Sequence, residues 1–199
     1  MAPKNGGSGD IMTQLYRAKI QPLNAEKIGT AAHGYVEFLQ EEEELKIKLE
    51  MFDTPANIQH WEHFHGFPEG KEAQVPTLAQ DSNGDGWIDL PETESVSGTT
   101  MVPLDNAPHE MTIPNDDYPV ADAKGYYSYE KTVPLKALKA KFKEVFGTDD
   151  LQLEKRVVYI HGIPRSLDIP DTVGGKLTES YDQYVTLPIA AGKIQKVED

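Results

Sequence analysis

Two groups of residues in this chain have the types and the spacing for chemistry. The first is His60-Trp-Glu-His63-Phe64-His65-Gly66. On a strand, residues two apart share a face, so His63 and His65 present their imidazoles together while Phe64 turns the other way into a core. Two imidazoles on one face begin a copper or zinc site, because neutral ring nitrogens suit both ions. Two further histidines are candidates to complete it. His161 ends the run Arg156-Val-Val-Tyr-Ile-His161, and His109 sits in the loop Asn106-Ala-Pro-His109-Glu110. His60 falls on the opposite face by parity, and it and His33 are read as ordinary hydrogen-bonded histidines.

The second group is Asp81-Ser-Asn83-Gly-Asp85-Gly86-Trp87-Ile88-Asp89-Leu-Pro-Glu92. It matches the pattern D-x-[DN]-x-[DN]-G-x5-E of a twelve-residue, EF-hand-type calcium loop at every specified position. Calcium is a hard cation that gathers about six to eight oxygens. Asp81, Asn83 and Asp85 would offer side-chain oxygens and Trp87 its backbone carbonyl. Asp89 would act directly or through water, and Glu92 would close the site with two oxygens. Gly86 permits the sharp turn, and Ile88 points inward to tie the loop to the core. Pro91 is tolerated in a first helical turn, and Asp89 and Glu92 have capping-box spacing. The spacing therefore predicts a short helical start after the loop and no regular helix–loop–helix pair. A structural ion is expected, since no partner-binding pair of helices is visible.

The elements that must position these groups have mostly a period of two. Strands are expected over 13–20, 32–40, 45–51, 57–65, 125–133, 153–161 and 184–191. The clearest is Leu45-Lys-Ile-Lys-Leu-Glu-Met51, preceded by four glutamates that read as a solvated hairpin turn. One amphipathic helix is expected over 134–146, where Leu135, Leu138, Phe142 and Val145 fall at helical spacing, with Gly147 ending it. Residues 68–106, rich in Gly, Pro and polar side chains, read as a long loop insertion that carries the calcium loop 81–92. Residues 1–11 read as a flexible leader without the apolar segment of a signal peptide. The remainder, 12–197, reads as one all-β domain, an antiparallel β-sandwich or barrel with one short helix.

Composition narrows the partners. The 199 residues contain 33 acidic and 19 basic side chains, a formal charge of −14, which disfavours nucleic acid and anionic membranes and favours cations. No run reaches the roughly eighteen apolar residues of a membrane span. There is no cysteine, so disulfides, zinc-thiolate sites and thiol nucleophiles are excluded. Tyr126, Tyr127 and Tyr129 alternate along a strand and read as core and sheet packing rather than a carbohydrate platform.

The order of these motifs resembles the copper/zinc superoxide dismutase fold and, in the first half, the CHRD domain. Gly34-Tyr-Val-Glu-Phe38, Leu45-Lys-Ile-Lys-Leu49 and Ile58-Gln-His-Trp-Glu-His63-Phe-His65-Gly66 are similar to that family's two strands followed by an H-x-H strand. Gly125-Tyr-Tyr-Ser-Tyr129, Arg156-Val-Val-Tyr-Ile-His161 and Leu187-Pro-Ile-Ala-Ala-Gly192-Lys-Ile194 resemble its end. The likeness runs over about residues 12–195 and is sparse between motifs. It implies a Greek-key fold, with His63 and His65 as paired copper ligands, His161 as the last one and His109 as the metal-bridging histidine. The chain departs from the family in four ways. It lacks the disulfide, and no zinc-binding residues stand out between His109 and Gly125 beyond Asp116, Asp117 and Asp122. It has no arginine in Tyr181-Asp-Gln-Tyr-Val-Thr186 to guide superoxide, and it carries the calcium loop.

Three functions follow. The first is a metal-binding, dismutase-like domain with structural calcium and copper or zinc at the histidines. The second is a true copper-dependent superoxide dismutase, which needs a redox metal with an open position and a positive patch to attract an anion. The third is a CHRD-like binding or scaffold module for a protein or polysaccharide, with histidines that only pack. The resemblance and the calcium loop together imply an extracytoplasmic, secreted or periplasmic, setting.

Overall fold

The computed structural model describes residues 13–199; the leader expected over 1–11 lies outside the described residues. Among the described residues nine strands form one curled antiparallel sheet, a half-barrel. They are β1 (Gln14–Pro22), β2 (His33–Gln40), β3 (Glu44–Phe52), β4 (Glu62–Gly66), β5 (Thr99–Pro103), β6 (Tyr127–Pro134), β7 (Val157–His161), β8 (Pro188–Lys193) and β9 (Gln195–Lys196). Their spatial order is β5-β4-β7-β8-β1-β2-β3-β6, with β9 paired to β1. β3 shows why the sheet forms. Leu45, Ile47, Leu49 and Met51 are buried while the intervening charged residues face water or its margin, the alternation a one-sided sheet requires. The turn at 41–43 closes through Glu41 N–H donating to the Glu44 carbonyl at 2.9 Å, where the glutamate run was expected to turn. Phe38 and Phe64 meet edge-on across the core, with centroids 6.2 Å apart.

Among the described residues four helices accompany the sheet, where the sequence reading expected one amphipathic helix and a short helical start after the acidic loop. α1 (Ala25–Ile28) and α4 (Gln183–Thr186) are single turns inside connections. α3 (Leu135–Phe146) is the expected amphipathic helix. It packs Leu135, Leu138 and Phe142 into the core and stops at Gly147, whose φ of 81° suits glycine. α2 (Leu90–Ser97) grows from the calcium-loop motif. Asp89 and Glu92 form the reciprocal capping box, and Pro91 sits in the first turn.

The stretch 68–106 is more ordered than a plain loop. It contains a 3-10 turn at Leu78–Gln80, α2 and the edge strand β5. β5 escapes a sequence reading because it is five residues long, follows Gly98 and ends on Pro103. The strand expected over 57–65 begins only at Glu62. That expected over 153–161 opens with a 3-10 turn at Leu153–Lys155, and that over 184–191 divides into α4 and β8.

β4 and β7 are buried along their whole length. One face of each looks into the half-barrel, and chain from the long connections covers the other. That second covering creates the closed environment of the histidines. Among the described residues no helix is long and apolar enough to cross a membrane.

Candidate metal centre

β4 and β7 pair antiparallel, with His63 opposite Tyr159 and His65 opposite Val157. The His161 N–H donates to the Trp61 carbonyl at 2.8 Å. Residues 61, 63 and 65 therefore share a face with 157, 159 and 161, and His161 lies diagonally across from His63. Register shifts fall between Phe64 and His65 against β5 and between Ile160 and His161 against β8. Bulges of this kind re-aim side chains, and here each adjoins a histidine.

The three rings meet. Centroids of His63 and His161 are 5.3 Å apart, those of His65 and His161 5.7 Å, and those of His63 and His65 6.0 Å. One ring nitrogen from each lies within 4.8 Å of the others. Exposure is 2% for His63, 1% for His65 and 2% for His161, so the centre is closed to bulk solvent.

The hydrogen bonds decide which nitrogens are free. His161 Nδ1 donates to the Thr186 carbonyl at 2.8 Å, and its Nε2 is buried without a partner. His63 Nε2 lies 2.8 Å from the Tyr118 hydroxyl, and its Nδ1 is likewise buried and unpartnered. His65 Nε2 has Thr100 Oγ1 at 3.5 Å, beyond an effective hydrogen bond. Orphaned buried polar atoms are rare and call for a reason. Here they point to a ligand that accepts nitrogen lone pairs, and the outer nitrogens of His63 and His161 are already held as ligating imidazoles are held.

Burial is also the main cause of the ring chemistry. It pushes His63 and His65 well below the usual imidazole range, helped by neighbouring rings. It takes His161 down to about 4 against the opposing bond to Thr186. The rings are thus neutral near pH 7, the form that binds metal.

His60 is buried beside this centre, not in it. Its two ring nitrogens face the His161 carbonyl at 2.9 Å and the Pro55 carbonyl at 2.8 Å, and the ring stacks on Tyr127. It ties the entry of β4 to the end of β7. His109 does not join the cluster. Pro108–Glu110 forms a 3-10 turn that packs against α3, and this holds His109 elsewhere.

Sequence reasoning missed two residues here. Tyr118 bonds His63 from 55 positions away. Glu62 is fully buried on the opposite face of β4, accepting from Tyr127 at 3.0 Å with its second oxygen unpartnered. Burial, with Asp105 nearby, holds its carboxyl well above the usual range. Neither carries a local sequence signal. A glutamate between tryptophan and histidine on a fully buried strand was the nearest hint.

The acidic loop forms a second group, in which oxygens of Asp81, Asp85 and Glu92 lie within 4.8 Å of one another. Asp81 accepts from the N–H groups of Gly84 and Gly86, and Glu92 accepts from Ser82 N–H at 2.6 Å. Burial opposes ionisation of Asp85. The Thr172 hydroxyl at 2.7 Å and the Trp87 N–H outweigh it and hold that carboxyl below the usual range. Asn83 donates to the Thr172 carbonyl at 3.1 Å. Ile88 is buried as expected, and its backbone is clamped at both ends by Asn24. Asp89 is turned to another task. One of its oxygens caps α2 and the other accepts from Gly174 N–H at 2.7 Å, and the carboxylates that converge within 4.8 Å are those of Asp81, Asp85 and Glu92.

Compared with known proteins, the chain matches no protein-family model and no curated protein sequence. Among the described residues, the two groups capable of holding a metal ion are His63, His65, His161 and Asp81, Asp85, Glu92.

Proposed function

We propose that this chain is a metal-binding β-domain. It holds copper or zinc at His63, His65 and His161 and a structural calcium ion in the 81–92 loop. The observation that carries the reading is the convergence of three buried imidazoles within 4.8 Å, two of which keep a buried, unpartnered nitrogen, His63 Nδ1 and His161 Nε2. Three imidazoles suit copper and zinc, and three carboxylates with amide and carbonyl oxygens suit calcium. The resemblance to the copper/zinc superoxide dismutase fold supports the same three ligands. The pairings of β3 with β6 and β4 with β7 are the crossings a Greek key would produce.

A copper-dependent dismutase is the second reading, favoured by the convergence of the three dismutase-like histidines. Its electrostatics are less favourable. The depression beside Tyr118, about 400 Å³, is lined by Asp116, Asp117 and Glu130 with Lys131 as its one cation, a poor attractor for an anion. A CHRD-like scaffold would use the rings for packing alone.

Elemental analysis of tag-free protein after dialysis against copper, zinc and calcium separates the metal-binding readings from the scaffold, and superoxide loss above free-copper controls, abolished in His63→Ala, separates the dismutase from the first reading. The proposal expects one transition-metal ion and one calcium ion per chain. Uptake of calcium alone would leave the scaffold reading, and uptake of neither would overturn the metal-binding reading altogether.

A further inference from the structure

We propose that the histidine centre is an outer-sphere electron-transfer site, with a route to the surface that runs from His63 through Trp61 to Tyr181. It rests on copper occupying the centre described above.

The inference comes from what closes the site. His63 is flanked by Trp61 at 5.8 Å and Tyr118 at 5.4 Å, measured between ring centroids. Trp61 lies 5.7 Å from Tyr118 and 5.2 Å from Tyr181. On the far side Tyr159 covers His65 at 4.4 Å. Trp61, Tyr118 and Tyr159 are buried, and Tyr181 alone of the four is half-exposed. Tyr181 is thus the most exposed ring of the shell, while Tyr118, 5% exposed, reaches only the floor of the neighbouring depression. A shell of this kind bars a substrate from the metal but leaves a continuous series of π-systems from a ligand to the surface. Copper closed off from outside ligands could exchange electrons only through the surrounding side chains, and with no cysteine in the chain its ligands here are imidazoles rather than a thiolate.

The surface at the outlet selects the donor. Tyr181 donates its hydroxyl proton to Asp116 at 3.1 Å. Asp116, Asp117 and Glu130 line the neighbouring depression, and the whole chain carries −14. A positively charged one-electron donor is drawn to such a surface. One electron leaves that donor, which is oxidised, and copper(II) becomes copper(I). No bond forms or breaks. The phenolic proton of Tyr181 stays where it is, and the rings conduct without themselves being oxidised.

The test uses the copper-loaded full chain, with copper content measured first. Azide is titrated while the copper(II) electron paramagnetic resonance spectrum is followed. Reduction by hexaammineruthenium(II), a cationic outer-sphere reductant, is then timed by stopped flow, per bound copper, for the native chain, Tyr181→Leu and Tyr181→Phe. The proposal expects a spectrum unmoved by azide. It also expects reduction that slows in Tyr181→Leu, keeps its native rate in Tyr181→Phe and weakens with added salt. Azide ligation would overturn the proposal, as would equal rates in native and Tyr181→Leu protein. A chain that takes zinc but refuses copper overturns this proposal alone, and one that takes neither overturns the metal assignment beneath it.

Discussion

Acid titration of the metal-free protein should isolate the contribution of His161. In the unfolded chain its ring binds a proton below about pH 6.5. In the folded chain burial withholds that proton until about pH 4. The unfolded state therefore binds more protons between these limits, and stability must fall as the pH falls through them. At about 1.36 kcal/mol for each tenfold change in proton affinity, the full window is worth about 3 kcal/mol, and the part between pH 6.5 and pH 5 about 2 kcal/mol. Glu62 works in the opposite direction. Its raised carboxyl takes a proton in the folded state first, so it favours folding as the pH falls. The quantity to measure is accordingly a difference. Urea unfolding of the native chain and of His161→Gln is followed by the fluorescence of the buried Trp61 and Trp87, at pH 7 and at pH 5. Glu62 is common to both proteins and cancels. The native chain should lose about 2 kcal/mol more than the variant on acidification. A stability difference that stays constant across the window would show that His161 titrates as freely folded as unfolded, and would refute its burial as the cause.

Other expectations concern the acidic loop. Gly86 has a φ of 83°, with Lys27 about 3.2 Å from where a Cβ would stand. Gly86→Ala should lower stability by about 1–2 kcal/mol, read as a drop in Tm, and weaken calcium binding in a calorimetric titration. Asp89→Ala removes one half of the capping box and the acceptor for Gly174. It should cost about 1 kcal/mol in urea unfolding, and an unchanged midpoint would contradict the capping role. Calcium at about one hundred times its dissociation constant should stabilise the native chain by about 2.7 kcal/mol. That rise in Tm should vanish in the double variant Asp81→Asn, Asp85→Asn, and its persistence there would place the ion elsewhere.

Local rules explain which parts of the molecule could be read from sequence. The alternation of Leu45 to Met51, the helical spacing of Leu135, Leu138 and Phe142, and the Asp89/Glu92 capping spacing each concern residues a few positions apart. Each emerges as read, except that Val145, placed with the helix face by its spacing, is exposed near the end of α3. His63 and His65 share a face by strand parity alone, and His161 follows from its place at the end of an apolar strand. Long-range placement was not legible. The 3-10 turn that commits His109 to the α3 side depends on packing that Ala-Pro-His does not encode. Tyr118 and Glu62 owe their roles to partners 55 and 65 positions away. The bond from Gly174 N–H to Asp89 joins residues 85 positions apart and had no local signal either. β5, which follows Gly98 and ends on Pro103, was lost because both residues punctuate loops more often than strands.

The account stands on three imidazole nitrogens meeting at a single ion, and X-ray absorption at the metal edge of protein loaded with one equivalent of copper or zinc tests this directly. Three imidazole nitrogens at about 2.0 Å, with one of them lost in His161→Gln, is the result the geometry requires. A shell of carboxylate or water oxygens with no imidazole signature, or a spectrum unchanged by that substitution, would contradict it.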